Sequence, residues 1–129
     1  MNIPKDLKYT SEHEWLRVEG EIGVVGITDY AQSELTDIVF VEFKVEKGDK
    51  ISKGDVIATI EAVKTVADVY SPISGEVLEV NEDLTNAPDT LNKDPYGGGW
   101  LAKIKIENPS EIDELLGPED YEKLIKEEE

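Results

Sequence analysis

The chain has no cysteine, and only one histidine, one methionine and one arginine among its 129 residues. The first absence excludes disulfides, thiolate nucleophiles and cysteine-ligated zinc. A lone His13 cannot build a multi-histidine metal centre, which leaves only carboxylate sites for hard cations such as calcium or magnesium. Long apolar runs are also missing: nothing approaches the roughly 20 residues of a membrane helix, and the longest candidate, around Ile38 to Phe43, is broken by Glu42. The opening Met-Asn-Ile-Pro lacks the basic flank and apolar stretch of a signal peptide, so a cytoplasmic protein is expected. Positive charge is scarce. Thirteen basic against thirty acidic residues leave a formal net charge of -17, a field that repels phosphate backbones and anionic lipid. Neither a nucleic-acid nor a membrane partner is expected, and what remains is carboxylate, hydroxyl or lysine chemistry. The 39% of hydrophobic side chains suffices for one compact domain.

Two short strands, His13 to Val18 and Ile22 to Ile27, are joined by Glu19-Gly20-Glu21 into an opening hairpin. Thr28 is placed to cap a short helix from Asp29 to Leu35, in which Ala31 and Leu35 share a face. Ile38 to Phe43, rich in β-branched and aromatic residues, reads as a buried strand. From Glu46 onward short apolar runs alternate with Lys47-Gly48-Asp49, Lys53-Gly54-Asp55, Ser71-Pro72 and Ser74-Gly75, the spacing of an all-β sandwich or barrel. Val56 to Val63, Val66 to Tyr70 and Glu76 to Val80 are strands by this reading. Asn81 to Gly99 reads as a long surface loop with at most a short turn, and Trp100 to Ile106 as a closing strand. In the tail, Asn108, Pro109 and Glu111 resemble a capping box for a helix ended by Gly117. Pro118 starts a second helix with Tyr121, Leu124 and Ile125 as its apolar stripe. Residues 107–129 hold ten acidic and two basic side chains, or -8 of the -17.

Lys64 stands at the junction of two of these strands. Composition alone makes it a solvated turn residue. Gly48 precedes it and Gly75 follows it, each expected at a turn between strands, and a lysine at the tip of a hairpin on rigid strands is well placed for covalent attachment.

The segment Glu61-Ala62-Val63-Lys64-Thr65-Val66-Ala67-Asp68-Val69-Tyr70-Ser71-Pro72-Ile73-Ser74-Gly75-Glu76-Val77 resembles the lipoyl-attachment region of the H protein family of the glycine cleavage system. The likeness extends to Tyr9 through Trp15, Gly26-Ile27-Thr28, Ala31-Gln32, Ile38 through Glu42, Leu91-Asn92, Pro95-Tyr96 and Gly99-Trp100-Leu101, in the expected order. It implies a mainly β chain, a flattened β-barrel or sandwich of the biotinyl/lipoyl-carrier type with a short internal helix and C-terminal helices. Its single domain, 1–129, would comprise the N-terminal hairpin and helix over about 9–37, a lipoyl-type core over about 38–106 and acidic helices over 108–129.

The resemblance also implies that Lys64 carries lipoic acid as an amide and that the protein catalyses nothing itself. The arm would accept an aminomethyl group on the pyridoxal-phosphate glycine decarboxylase (P protein) and deliver it on the tetrahydrofolate-dependent aminomethyltransferase (T protein). Dihydrolipoamide dehydrogenase (L protein) would then reoxidise it, the hard chemistry belonging to cofactors elsewhere. Glu14 and Asp68 match positions lining a cleft that shelters the loaded arm and are the expected partners of its ammonium; exposed carboxylates are otherwise ordinary in so acidic a chain. Glu61 and Gly75 are expected to help a lipoate-attaching enzyme read the hairpin. His13 is expected to be structural beside Trp15, Trp100 and Tyr96 to be core and loop anchors, and the carrier to be a monomer. Three departures stand out. Thr36 replaces the family's common glycine, Glu12 and Glu34 replace the serine and histidine of some relatives, and Lys44 to Lys47 replaces a proline-containing stretch.

Three other readings compete. A biotin carrier usually flanks its lysine with methionines, and the only methionine here is Met1. Lipoyl domains of 2-oxo acid dehydrogenases are shorter and tethered by linkers, although a lipoyl relay in such a pathway stays open. A small hydrolase would use Glu14 and Asp68 as acid and base, but neither lies in a known catalytic motif.

Overall fold

The structure, a computed structural model, describes residues 1–128. The opening hairpin, β2 (Glu14–Glu19) and β3 (Ile22–Ile27), turns at Gly20 with φ +64°, a conformation that a Cβ would strain. With β1 (Lys8–Tyr9) and the later strands β5 (Lys50–Ile51), β8 (Gly75–Val80) and β9 (Ala102–Ile106) it builds a six-stranded antiparallel sheet in the order β1-β2-β3-β9-β8-β5. The remaining strands, β4 (Ile38–Phe43), β6 (Val56–Ala62) and β7 (Val66–Tyr70), form a three-stranded sheet in the order β4-β6-β7. Of the two architectures expected, the sandwich is found. Each sheet keeps free edge strands, so neither closes on itself.

Leu16, Val25, Ile27 and Ile104 from the larger sheet pack with Val41, Ile57, Ile60 and Val69 from the smaller one in the main core. The other face of the opening hairpin is also covered. Trp15 and Val24 pack with Tyr9, Tyr30, Tyr121 and Ile125 beneath α4 (Pro118–Glu128). The expected stripe of α4 is thus present, with Tyr121 and Ile125 buried and Leu124 half-buried.

Several expectations need correction. β4 is not a buried strand: a bulge between Ile38 and Phe40 breaks the alternation, burying Ile38 and Val41 while Val39 and Phe40 face outward. Gly75 is not in a turn but opens β8, opposite Ile106 and Ile51, where a Cβ would come within 1.9 Å of the Lys105 carbonyl oxygen. The loop from Asn81 to Gly99 holds two single-turn helices, α2 (Asp83–Asn86) and α3 (Thr90–Lys93), because Leu84 and Leu91 are drawn fully into the core. The capping box at Asn108 does not form. Glu111 instead accepts from the Ser74 N–H and hydroxyl, both at 2.8 Å, so the segment is a 3-10 turn, Pro109–Glu114, that ends before Gly117. His13 precedes β2 instead of opening it, and its ring meets Tyr30 at a tilt and Tyr121 edge-on.

Thr28 caps α1 (Asp29–Leu35) as expected, its hydroxyl accepting from Ala31 N–H at 3.2 Å. Beyond α1, Thr36 adopts φ +62°, ψ -134°, a glycine-like conformation that its β-branched side chain opposes. Asn92 holds it there: its amide donates to the Thr36 carbonyl and its oxygen accepts from Ile38 N–H at 3.0 Å. Relief of that strain in Thr36→Gly is expected to raise stability by about 1 kcal/mol despite the added freedom of the unfolded chain. Gly75→Ala, which must push β8 from β9, is expected to lower it by about 3 kcal/mol. Urea unfolding of both variants reads the opposite signs.

Candidate functional site

The β6–β7 hairpin carries Lys64 at its tip, exposed between Val63 and Thr65. Ala62 N–H donates to the Thr65 carbonyl at 2.8 Å, closing the turn, and Val63 N–H donates to the Asp37 carbonyl at 3.0 Å. The tip is therefore pinned to the residue between Thr36 and Ile38, the two that Asn92 clamps. Asn92 acts on Lys64 through the backbone, a role that no local pattern announced. Among the described residues Lys64 has no ion-pair partner, so its amine is available to a reagent.

Alongside the free edge of β7 lies a cavity of about 170 Å³, bounded by α1, the start of β2 and the smaller sheet. Its walls are mostly aliphatic, including Ile27, Leu35, Ile60 and Val69. Glu12, Glu14, Glu34, Asp68 and His13 also border it, with no lysine or arginine; Asp68 does so from the edge strand β7. Such a cleft suits an apolar stalk that ends in a cation. The structure thus brings Glu14, from β2, and Asp68, from the hairpin that bears Lys64, to the border of one cavity.

The two acids differ. Asp68 is exposed on β7 and accepts from the Thr59 hydroxyl at 2.9 Å. Glu14 is only 2% exposed, and its carboxyl reaches from one sheet to the other, accepting from Thr10 Oγ1 at 2.6 Å and from Tyr70 N–H at 2.9 Å. Desolvation outweighs both hydrogen bonds and pushes its pKa from 4.5 up to about 7. Near neutrality Glu14 is therefore partly protonated, and a cation arriving beside it favours the charged form.

Glu61 lies on the outer face of β6, opposite Val66, close to the tip. Gly75 is buried in the other sheet and bears on the hairpin only through the scaffold. His13 donates or accepts at Tyr121 Oη, 2.8 Å from Nδ1, and its Nε2 meets the Glu128 carboxylate at 2.9 Å. Tyr96 anchors its loop: its hydroxyl donates to the Asn2 carbonyl and accepts from Asp29 N–H. Half-buried Trp100 stacks under Lys103 Nζ, 4.9 Å from the ring centre. Among the described residues no group of three or more acidic or histidine side chains is arranged to hold a metal ion, and no helix is long and apolar enough to cross a membrane.

Residues 7–128 match the family model described as glycine cleavage H-protein. The chain belongs to this family. It is 56% identical over 126 residues to the glycine cleavage system H protein of Carboxydothermus hydrogenoformans, covering 98% of this chain and 96% of that one. It is 50% identical over 125 residues to the H protein of Bacteroides fragilis, covering 97% and 98%. Among solved structures, the glycine cleavage system H protein of Mycobacterium marinum superimposes with a TM-score of 0.83 at 38% identity, over 92% of this chain and 95% of that chain. In this H-protein family member the departures Glu12 and Glu34 both fall on the cleft, which they make more acidic.

Burial of Glu14 has a measurable consequence. The folded carboxyl keeps its proton up to about pH 7, whereas the unfolded one releases it near 4.5. The cost of burying its charge is absent below about pH 4.5, grows through the interval and is complete above about pH 7, where it reaches about 3 kcal/mol. A glutamine accepts from Tyr70 N–H, donates to Thr10 Oγ1 and does not titrate. Relative to Glu14→Gln, the unsubstituted protein is expected to lose about 3 kcal/mol of stability between pH 4.5 and 8, read from urea unfolding of both; parallel curves would refute the raised pKa.

Proposed function

We propose that the protein is the lipoyl-bearing carrier of a glycine cleavage system, a non-catalytic shuttle with lipoic acid in amide linkage to Lys64. Membership of the H-protein family supports this. So does the single observation on which the reading rests, an exposed hairpin-tip lysine beside an apolar, acid-lined cleft of about 170 Å³. The lipoyl group supplies a dithiolane able to carry a one-carbon amine from glycine. The protein's own residues position, shelter and present it.

β6 and β7 hold the Lys64 amine away from the body, and the Asp37 carbonyl fixes the tip against them. Asp68 follows Lys64 by four residues and lies on β7. Ile27, Leu35, Ile60 and Val69 exclude water from the stalk of a docked arm, and Glu14 and Asp68 receive the ammonium of its cargo. Because Glu14 carries its full charge only above about pH 7, retention of the cargo strengthens as pH rises through that value. Glu61, outward and next to the tip, is a contact for the lipoate-attaching enzyme. Gly75 contributes by keeping β8 against β9, and with it the shape that enzyme meets.

On this reading the partners are the glycine decarboxylase, the aminomethyltransferase and the dihydrolipoamide dehydrogenase, met in turn by a monomer in the cytoplasm. The formal charge of -17 favours fast, salt-sensitive encounters with basic surfaces.

Two measurements test it. Intact mass after incubation with lipoate and a ligase is expected to show one lipoyl adduct that Lys64→Arg abolishes; a biotin adduct, or none, overturns the reading. Glu14→Gln is expected to leave that adduct intact while releasing the loaded one-carbon amine from the free carrier about tenfold faster at pH 8, the worth of one charge-assisted contact. An unchanged rate would remove Glu14 from the cleft's chemistry.

A further inference from the structure

Six large hydrophobic residues are exposed among those described, and four of them gather around Lys64: Val39 at 54%, Phe40 at 42%, Val63 at 65% and Val66 at 59%. Their grouping is built by the fold. Val63 and Val66 flank the tip. Phe40 lies directly opposite Glu61, and Glu61 opposite Val66, so the three form one row across the outer face of the smaller sheet. The bulge at Val39 adds a second outward apolar residue to β4, and the hydrogen bond from Val63 N–H to the Asp37 carbonyl brings that end of β4 against the tip. Acids accompany the patch. Exposed Glu61 lies within its row, and Asp37, Glu42 and Asp68, also exposed, lie around it, the last two in the adjoining row Glu42-Thr59-Asp68, while the nearby Lys44 is paired to Glu42.

We infer that this outer face of β4 and the hairpin tip is the docking platform for the enzyme that takes up the unloaded arm, the pyridoxal-phosphate glycine decarboxylase. That enzyme would meet it with an apolar lip ringed by lysine and arginine at its active-site mouth. The inference rests on the carrier reading above. An unloaded dithiolane carries no cation for the acids at the cleft to hold, so the enzyme that receives it meets an arm without that tether and the platform behind it. The acidic rim selects the occupant: it repels anionic lipid and a second copy of this chain, and it complements a basic rim. Exposed apolar anchors set among charges are an arrangement in which a few residues carry most of the binding energy.

The test uses the lipoylated full chain with a purified glycine decarboxylase, following glycine-dependent carbon dioxide exchange as the carrier concentration is varied. Val39→Thr/Phe40→Thr puts β-branched polar residues at two exposed positions of β4 and leaves the hairpin itself unaltered, so lipoylation by mass and the unfolding midpoint are expected to stay unchanged. The KM for the carrier is expected to rise about tenfold with kcat preserved. Val18→Thr, which trims an exposed valine of the other sheet, is expected to change neither. An unchanged KM for a fully lipoylated double variant would overturn the platform and leave the carrier reading standing, whereas no exchange with the unsubstituted carrier would overturn both. A concentration-dependent dimer of the unsubstituted protein that the double variant abolishes would assign the patch to self-association instead, and would also overturn the proposal.

Discussion

The arrangement depends on one buried carboxyl group. Glu14 belongs to the six-stranded sheet, yet its oxygens satisfy Tyr70 N–H on the free edge of the three-stranded one and the Thr10 hydroxyl beside it. An edge strand offers backbone groups that must find partners, and a carboxyl reaching across from the neighbouring sheet provides one without closing the gap along the whole strand. The cleft is the space left beside that contact. Its cost is the desolvation of Glu14, which is why a cation is complementary there: it restores the charge that burial opposes.

A second constraint sets the position of Lys64. The turn after α1 holds Thr36 in a conformation suited to glycine, and Asn92 secures it with hydrogen bonds to the Thr36 carbonyl and the Ile38 amide. Between those residues, the Asp37 carbonyl accepts from Val63 N–H at the hairpin tip. Local strain is thus held where the chain must present a single amine in a fixed place. The same turn starts β4 beside the tip, so the bulge that exposes Val39 and Phe40 lies next to the lysine. The attachment point and the apolar surface around it are consequences of one piece of backbone.

How much was legible follows from the range of each signal. The turn Glu19-Gly20-Glu21 between two short runs placed β2 and β3, alternation placed β9, and short apolar runs between glycine turns placed the strands flanking Lys64, because these are local properties of the chain. The motif carried Glu14, Asp68 and Lys64 as expectations, and the first two do share a cavity. Other features were hidden because their partners are distant. Glu111 looked like a helix cap until Ser74, 37 residues away, took its carboxylate. His13 looked like a neighbour of Trp15 until Tyr121, 108 residues away, bonded its ring. The loop after Asn81 coiled into short helices because the main core took Leu84 and Leu91.

By itself the sequence determined the chemistry that could be present: no thiol, a single imidazole, a large negative charge, two-residue periodicity and a lysine between two strands. These are properties of residue type and nearest neighbours. Only the tertiary structure decided that Glu14, alone among the acids of the described residues, is buried and has its pKa raised to about 7, that β4 turns two large apolar residues outward, and that Asn92 governs the hairpin tip. Each is set by groups from separate strands meeting where water is excluded, and no local stretch of chain contains that information.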